Sequence, residues 1–232
     1  MAAPEESPTA TVARALQALY HGTDEGARRE AAAWLENFQR TPEAWQVADT
    51  LLNTPAFEGR PGAEVEIWYF AAQTLRTKMQ HDFAQLPPES LPSLRDSLLA
   101  HVAARAAGPA TVLTQLCLAL ACLAVHMPAW EQPIQDVYAR LGHEPATLRA
   151  LLSFFTVLPE QASDPKIGVP PSRRRAFCEM LAVAAKDVFR LLLHVQGAGG
   201  AGSDAAQTLT CFRSWLLLCA TAERGSEGRK EL

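Results

Sequence analysis

The sequence predicts an all-α protein. Its apolar residues recur three or four positions apart, and no stretch shows the alternating, β-branched pattern of a strand. Proline- and glycine-rich breaks separate roughly ten such segments, each of moderate length. Consecutive helices joined by short breaks are expected to pack as antiparallel pairs. The predicted fold class is therefore a right-handed α-solenoid of about five helix pairs.

The spacing of the helix pairs decides between two all-α architectures. The pairs recur at a period near the 40 to 47 residues, roughly, that are typical of HEAT-type repeats. A closed helical bundle is the alternative, because helix pairs without a strict sequence repeat are compatible with both folds. The regular period favours the HEAT-type solenoid.

The first three helices have clear start and stop signals. The first carries an apolar stripe of Val12, Leu16 and Leu19. Gly22 can end this helix, and Thr23 or Asp24 can cap the second. The second carries Ala31, Trp34, Leu35 and Phe38. The third is expected to begin at RTPEAW, with Thr41 as N-cap and Pro42 at the first helical position.

The fourth helix follows the loop NTPAFEGRPGA and is predicted from about Glu64 to Phe83. It carries a stripe at the four-three-four spacing of a buried face: Trp68, Ala72, Leu75 and Met79. The side chains expected to point away from that stripe are Gln73, Arg76, Thr77 and Gln80.

Six further helices are separated by the breaks LPPESLP, AAGPA, HMPAWEQP, LPEQASDPKIGVPPS and GAGGAGSD. The most apolar of them, predicted from Thr111 to His126, is shorter than the ~20 residues that a bilayer requires. Membrane insertion is therefore not expected.

Composition limits the class of partner and the compartment. The net charge is -4, with both signs scattered along the chain, which argues against a nucleic-acid binder that works through a global positive field. The five cysteines lie in apolar runs, as free thiols do in a reducing compartment. No apolar run follows a basic start, so a signal peptide is not expected. A cytosolic or nuclear location follows.

Catalytic, cofactor and metal motifs give no support for an enzyme. GAGGAG, from Gly197 to Gly202, fits the dinucleotide pattern G-x-G-x-x-G, but it lacks the preceding strand, so a turn between helices is the better interpretation. No serine-hydrolase, phosphate-loop or zinc-protease motif occurs, and no C-x-x-C pair. We therefore expect no catalytic residue, no cofactor and no metal.

The densest basic cluster is PPSRRRAF, at the start of the ninth helix. Its cations are Arg173, Arg174 and Arg175. They could meet an acidic partner, act as a nuclear-import signal, or form a solvated surface turn. Three cations at a helix N-terminus oppose the helix dipole, so a nearby anion would offset an unfavourable arrangement.

Several blocks in matching order resemble the transportin branch of the importin-β superfamily of nuclear transport receptors. They are ALQALYHGTDEGARREAAAWLENFQRTPEAWQVADTLL, WYFAAQTLRTKMQHDFAQLP, SLRDSLLAHV, VLTQLCLALACLAVHMPAW and LLSFFTVLPE. The resemblance implies that residues 1–160 form amino-terminal, Ran-binding HEAT repeats. Residues 161–232 would form a further, divergent helix pair. It also implies a truncated form or fragment, since such receptors contain many more repeats.

The resemblance also implies partners and a location. These are the GTP-bound small GTPase Ran, arginine-serine-rich cargo proteins and nucleoporins, without direct binding of nucleic acid. The receptor would shuttle between cytoplasm and nucleus through the pore in the nuclear envelope. A non-transporting helical scaffold, or a competitor that binds a protein or peptide, is the alternative function.

In this family the second helix of each early repeat lines the concave surface on which Ran sits. The implied contacts are Asn37, Arg40, Gln73, Arg76, Thr77, Lys78 and Gln115. Simple solvation of an exposed helix face is the alternative for each of them. A solenoid that ends after five pairs would also expose an apolar end face, expected at Leu216, Leu217, Leu218 and Cys219.

Overall fold

The structure, a computed structural model, describes residues 7–53, 63–197 and 203–227. Within these residues there are ten α-helices and no strand, which confirms the all-α prediction. The helices are α1 Pro8–His21, α2 Glu25–Gln39, α3 Glu43–Asn53, α4 Ala63–His81, α5 Leu91–Ala104, α6 Ala110–His126, α7 Pro133–Leu141, α8 Pro145–Ser163, α9 Pro171–Gly197 and α10 Ser203–Glu227. Short 3-10 turns lie at Phe83–Gln85 and Pro88–Ser90.

The chain divides into two compact units, Met1–Pro88 and Glu89–Leu232. The first unit contains two helix pairs, α1 with α2 and α3 with α4, and the second contains three. The predicted boundary between residues 1–160 and 161–232 was based on the family resemblance, not on which helices pack together. It falls within α8 and stays a prediction.

The first unit is built around one apolar face from each helix. Fully or nearly fully buried side chains come from all four helices: Val12, Leu16, Leu35, Ala48, Leu51, Leu52, Ala72, Leu75 and Met79. Asp24 caps α2, as predicted, because its carboxylate accepts from the backbone N–H groups of Gly26 and Ala27. Gly22 ends α1, and a Cβ there would lie 2.3 Å from the carbonyl oxygen of Ala18. The stop signal is therefore a steric requirement.

The start of α3 differs slightly from the prediction. The helix begins at Glu43, two residues after Thr41. The carbonyl of Thr41 accepts from the N–H of Ala44 at 3.3 Å. The Glu43 backbone N–H and then the Thr41 hydroxyl lower the pKa of the Glu43 carboxyl. The side-chain cap predicted for Thr41 is not observed: its hydroxyl makes no hydrogen bond to the backbone of α3, and only its carbonyl takes part in this helix start.

The second unit stacks successive helix pairs. α8 packs between α6 and α10, while α5, α7 and α9 pack against α6, α8 and α10 respectively. The Trp215 indole donates to the carbonyl of Phe155 at 2.8 Å, and Gln207 donates to Ser153 at 2.8 Å, so α10 and α8 run in the same direction. Stacking of successive pairs within one layered unit is the arrangement of a helical-repeat solenoid.

One predicted break is wrong. The segment LPEQAS was expected to end a helix, but α8 continues through Pro159 to Ser163. A proline inside a helix costs about 3 kcal/mol, because it removes one backbone hydrogen bond and crowds the preceding turn. Here Leu158 and Ala162 are fully buried on either side of it. Burial of this turn against the core offsets the cost.

Other expectations fall partly outside the described residues. In the predicted loops NTPAFEGRPGA and GAGGAGSD, residues 54–62 and 198–202 lie outside them. Of the four α10 residues predicted to be exposed, Leu216 and Leu217 are exposed by 47% and 57%, Cys219 is half-buried and Leu218 is buried. In the part of the chain that the structure covers, no helix combines the length and apolarity needed to cross a bilayer.

Candidate partner-binding surface and the buried lysine beside it

The candidate surface is formed where α2 meets α4. The Gln39 side-chain amide donates to the hydroxyl of Thr74 at 2.8 Å, and that hydroxyl donates to the carbonyl of Phe70 at 2.7 Å. Thr74 is fully buried. This contact joins the end of α2 to the middle of α4, and polar residues flank it in both parts of the chain.

Each helix contributes one polar strip beside this contact. At the end of α2, Asn37 and the residue that follows the helix, Arg40, are three positions apart and both are exposed. On α4, the strip comprises Gln73, Arg76 and Thr77, of which the first is exposed and the other two are half-buried. Five of the seven predicted contact residues therefore lie on the accessible sides of two touching helices. Gln115 is half-buried on α6 and belongs to the second unit.

The guanidinium of Arg40 is accessible but locally paired. Its Nη2 lies 2.7 Å from Oε1 of Glu36, one helical turn earlier, and both side chains are largely exposed. An exposed pair of this kind contributes little to stability, about 0.3–0.5 kcal/mol. Arg40 can exchange this partner for another anion at small cost.

The expected exposure of Lys78 is wrong. The side chain is 0% exposed, so it does not lie on the accessible face with Gln73 and Thr77. Its Nζ donates to the carbonyls of Gln39 at 3.3 Å and Thr41 at 2.9 Å. It also donates to Oδ2 of Asp82 at 3.1 Å and to Oε1 of Gln85 at 2.9 Å.

An aromatic ring completes the enclosure of this ammonium group. Nζ of Lys78 lies 5.2 Å from the centroid of the Trp45 ring, within range of a cation–π interaction. The Trp45 indole N–H donates to Oε1 of Gln85 at 3.3 Å, the same oxygen that Lys78 contacts. We call the cluster of Lys78, Trp45, Asp82 and Gln85 the lysine node.

A signal for the burial of Lys78 was present in the sequence. Ala71, Leu75 and Lys78 have the spacing i, i+4 and i+7, and the first two are fully buried, so Lys78 continues an apolar stripe. Asp82 stands four residues after Lys78, which places a carboxylate on the same side of the helical path. The contributions of Trp45 and Gln85 had no local signal.

The basic cluster at the start of α9 is also largely engaged inside the protein. Arg173 donates from Nε to the carbonyl of Val125 at 2.9 Å and from Nη2 to that of Ala124 at 3.0 Å. Its guanidinium lies 5.1 Å from the centroid of the Phe177 ring. Partial burial lowers the pKa of this guanidinium, which stays charged at neutral pH.

Arg174 binds a second helix end in the same way. It donates to the carbonyls of Ala162 and Asp164, and to that of Ile167 at 2.6 Å. α6 ends at His126 and α8 at Ser163, so both arginines reach the carboxyl ends of earlier helices, where the dipole is negative. The predicted patch of three accessible cations is thereby corrected: of the three, Arg175 alone is exposed.

The same arrangement recurs along the chain: a cation on a later helix donates to carbonyls at the end of an earlier helix. We call this arrangement a carbonyl clamp. Arg28 of α2 donates to Leu19 at 3.1 Å, and Arg149 of α8 donates to Ala106 at 3.0 Å and to Gly108. Arg173, Arg174 and Lys78 are further examples. Helix-end carbonyls lack intrahelical donors, so the clamps satisfy them and join neighbouring elements.

Comparison with known proteins identifies the origin of this architecture. Residues 109–222, from the residue before α6 into α10, match the family described as Exportin 1-like protein. The chain is 38% identical over 214 residues to transportin MOS14 of Arabidopsis thaliana, covering 89% of this chain and 21% of that protein. The chain belongs to the importin-β family of nuclear transport receptors.

Two other relatives of the importin-β family show similar coverage. The chain is 32% identical over 212 residues to the mRNA transport regulator MTR10 of Saccharomyces cerevisiae, covering 87% of this chain and 21% of that protein. It is 32% identical over 216 residues to human importin-13, with 89% and 22% covered. The chain therefore spans about a fifth of the length of the curated relatives it matches.

The names of these importin-β family relatives describe transport rather than catalysis. Among the described residues there is no group of three or more His, Cys, Asp or Glu side chains arranged to hold a metal. The described surface consists of hydrogen-bonding and charged side chains displayed on helices. Such a surface is suited to recognising another protein.

Proposed function

We propose that this chain is part of a nuclear transport receptor and that its first unit binds the small GTPase Ran in the GTP-bound form. The observation that carries the proposal is the α2–α4 surface of an importin-β family chain, where Asn37, Arg40 and Gln73 are exposed beside a fixed helix contact. Arg76 and Thr77 flank it on α4. Gln115 lies in the second unit and stays a separate prediction of the family resemblance.

Binding would be coupled to transport through differential affinity. A receptor that binds Ran-GTP and cargo in different arrangements of its helix pairs releases one when it binds the other, and the coupling is reciprocal. The proposed cargo of the whole receptor is arginine-serine-rich protein. Because this chain spans about a fifth of its relatives, cargo binding is assigned to the complete receptor.

The proposed location follows from the proposed transport cycle. A receptor that loads cargo in one compartment and meets Ran-GTP in the other shuttles between cytoplasm and nucleus. Passage through the pore of the nuclear envelope would involve nucleoporins as further protein partners. Direct contact with nucleic acid and insertion into a membrane have no part in this proposal.

Calorimetry tests the proposal. The chain is titrated at physiological salt with Ran loaded with a non-hydrolysable GTP analogue and, separately, with GDP. We expect binding to the GTP form and binding at least about tenfold weaker to the GDP form, a difference of about 1.4 kcal/mol. Equal affinity for both forms, or no binding to either, would contradict the proposal. Equal affinity would favour the scaffold or competitor interpretation.

The chain offers a matched pair of variants for the site. Arg29 lies on α2 and Arg40 directly follows its last residue; both are exposed, and each pairs with a glutamate four residues earlier, Glu25 and Glu36 respectively. Only Arg40 lies next to the contact between α2 and α4. We expect Arg40→Ala to weaken Ran-GTP binding about 5- to 30-fold, as interface arginines commonly do, and Arg29→Ala to change it less than about twofold.

A further inference from the structure

We propose that Lys78 is a positioning residue for the Ran-binding surface. It does not touch the partner; it fixes the end of α2, which carries Arg40, relative to α4, which carries Gln73 and Thr77. The inference deepens the proposed function and rests on it. It replaces the direct contact that the sequence pattern suggested for Lys78.

The first argument is the enclosure of the ammonium group. An ammonium has three N–H donors, and four oxygen acceptors lie within 3.3 Å of Nζ of Lys78. The side chain is 0% exposed and the Trp45 ring lies over it. A partner docking on the outside of α4 would find no free N–H of Lys78 to bind.

The second argument is where those bonds are made. Three consecutive carbonyls at the end of α2 are held by the lysine node: Lys78 binds those of Gln39 and Thr41, and the Gln85 amide donates to that of Arg40 at 3.4 Å. The carbonyls of Gln39 and Arg40 are ones that a helix end leaves without intrahelical donors, while that of Thr41 also accepts from the N–H of Ala44. The backbone on both sides of the Arg40 Cα is therefore tied to residues that follow Thr77 in the chain.

The third argument is the use of a charge at a buried position. Desolvating an ammonium is costly, and a helix end can be satisfied more simply by glycine in a C-terminal cap. A buried, paired charge instead has directional requirements, because it tolerates only arrangements that keep its partners in place. Lys78 meets this condition through Asp82 and the two carbonyls, so it selects one register between α2 and α4.

Amide hydrogen exchange of the free chain tests the structural half of the inference. Lys78→Met keeps the length of the side chain but removes its charge and donors. We expect the amides of Arg40 and Thr41 to exchange at least about tenfold faster in this variant. Amides of α6 should be unchanged. Unchanged exchange at residues 40 and 41 would overturn the inference.

A double-mutant cycle on Ran-GTP affinity tests the functional half. If Lys78 positions Arg40, Arg40→Ala should weaken binding several-fold in the wild-type chain but less than about twofold in the Lys78→Met background. If Lys78→Met only destabilised the protein, Arg40→Ala would weaken Ran-GTP binding by the same factor in both backgrounds. That result would overturn the inference. Arg149→Met, which removes a carbonyl clamp in the second unit, is the matched control and should leave the effect of Arg40→Ala unchanged.

A milder variant covers the case in which Lys78→Met does not fold. Gln85→Leu removes the donor to the Arg40 carbonyl and one Lys78 acceptor while leaving the lysine in place. In the Gln85→Leu background, Arg40→Ala should weaken Ran-GTP binding less than it does in the wild-type chain. An equal factor in both backgrounds would count against the inference.

The two proposals fail in different ways. If the wild-type chain does not bind Ran-GTP, the proposed function fails, and the positioning role fails with it whatever the exchange data show. If the wild-type chain binds and the cycle is multiplicative, only the positioning role fails.

Discussion

The two units bury the cations that bind helix-end carbonyls to different depths. In the first, Lys78 is fully enclosed and shares its donors among two carbonyls, a carboxylate and an amide, whereas a further clamp in that unit, Arg28, is exposed. In the second, Arg173 and Arg174 remain half-buried and donate to carbonyls. The compact ammonium can be buried because a nearby carboxylate pairs with it, whereas the planar guanidinium spans adjacent carbonyls without such a partner.

Cations that all bind helix-end carbonyls can therefore differ in how much their substitution destabilises the protein. Loss of Lys78 removes a donor from the Gln39 carbonyl and the cation from the Asp82 carboxylate, and it leaves the Thr41 carbonyl and Gln85 Oε1 with one donor fewer. Loss of a half-buried arginine leaves carbonyls that water can reach. The effects of substitution should therefore follow the enclosure of the cation rather than its charge.

The largest effect is expected for Lys78→Met. Removing one partner of a buried charge pair typically destabilises a protein by 3–5 kcal/mol, and we expect a loss of about that size. Urea-dependent amide exchange of peptides from residues 7–53 and 63–81 measures it. Peptides from the second unit provide the internal control. A loss of unfolding free energy below about 1 kcal/mol would show that enclosure of the cation does not determine how strongly its substitution destabilises the protein.

A smaller effect is expected for Arg173→Met in the second unit. The variant loses two carbonyl bonds and the stacking on Phe177, which should cost about 1–3 kcal/mol. The measurement is urea-dependent exchange of peptides from α6 and α9. Arg175→Met, the exposed neighbour, should change stability by less than about 0.5 kcal/mol. Equal effects for both arginines would remove the distinction between clamp and surface cation.

The stability of the two units should depend differently on alkaline pH, because all five cysteines lie in the second unit. Burial raises the pKa of the Cys211 thiol from 9.0 to about 12, and burial also raises that of Cys117. Above pH 9 an unfolded chain loses these protons while the folded chain keeps them. Unfolding then releases protons, so stability falls as pH rises, by about 1.4 kcal/mol per pH unit for each thiol.

Cys211→Ala isolates this contribution. The free energy of unfolding, measured between pH 8 and pH 11, should fall less steeply in the variant by about one proton per molecule. Peptides from the first unit should show the same pH dependence in both proteins. Identical slopes for the second unit would mean that the Cys211 thiol ionises as easily in the folded chain as in the unfolded one.

The smallest effect is expected for Arg28→Gln. This clamp donates to a single carbonyl, that of Leu19 at 3.1 Å, and the arginine is exposed. We expect a loss of about 0.5 kcal/mol, measured by exchange of peptides from α1 and α2. A loss as large as that of Arg173→Met would break the proposed dependence on enclosure.

Much of the fold could be predicted from the sequence because the signals are local. Apolar periodicity identified all ten helices, and Asp24, Gly22 and the proline-rich breaks marked their ends through steric and capping requirements. The helix end predicted at Pro159 was wrong, because burial of its turn overrides the helix-breaking tendency of proline.

The candidate site was less predictable, because the sequence determines which residues are polar but not which of them are already engaged. Lys78 and Gln73 both lie on α4, yet one is enclosed by residues from α3 and from the turn after α4, and the other faces solvent. Arg173 and Arg174 found their partners about fifty and about ten residues back along the chain.

The sequence by itself determined the class of fold, the order of the helices and the family resemblance, because periodicity, caps and matching blocks act over a few residues at a time. Only the tertiary structure decided which cations are carbonyl clamps and which remain available to a partner. The physical reason is that a helix-end carbonyl has no intrahelical donor. Its donor comes from whichever cation packing brings within about 3 Å.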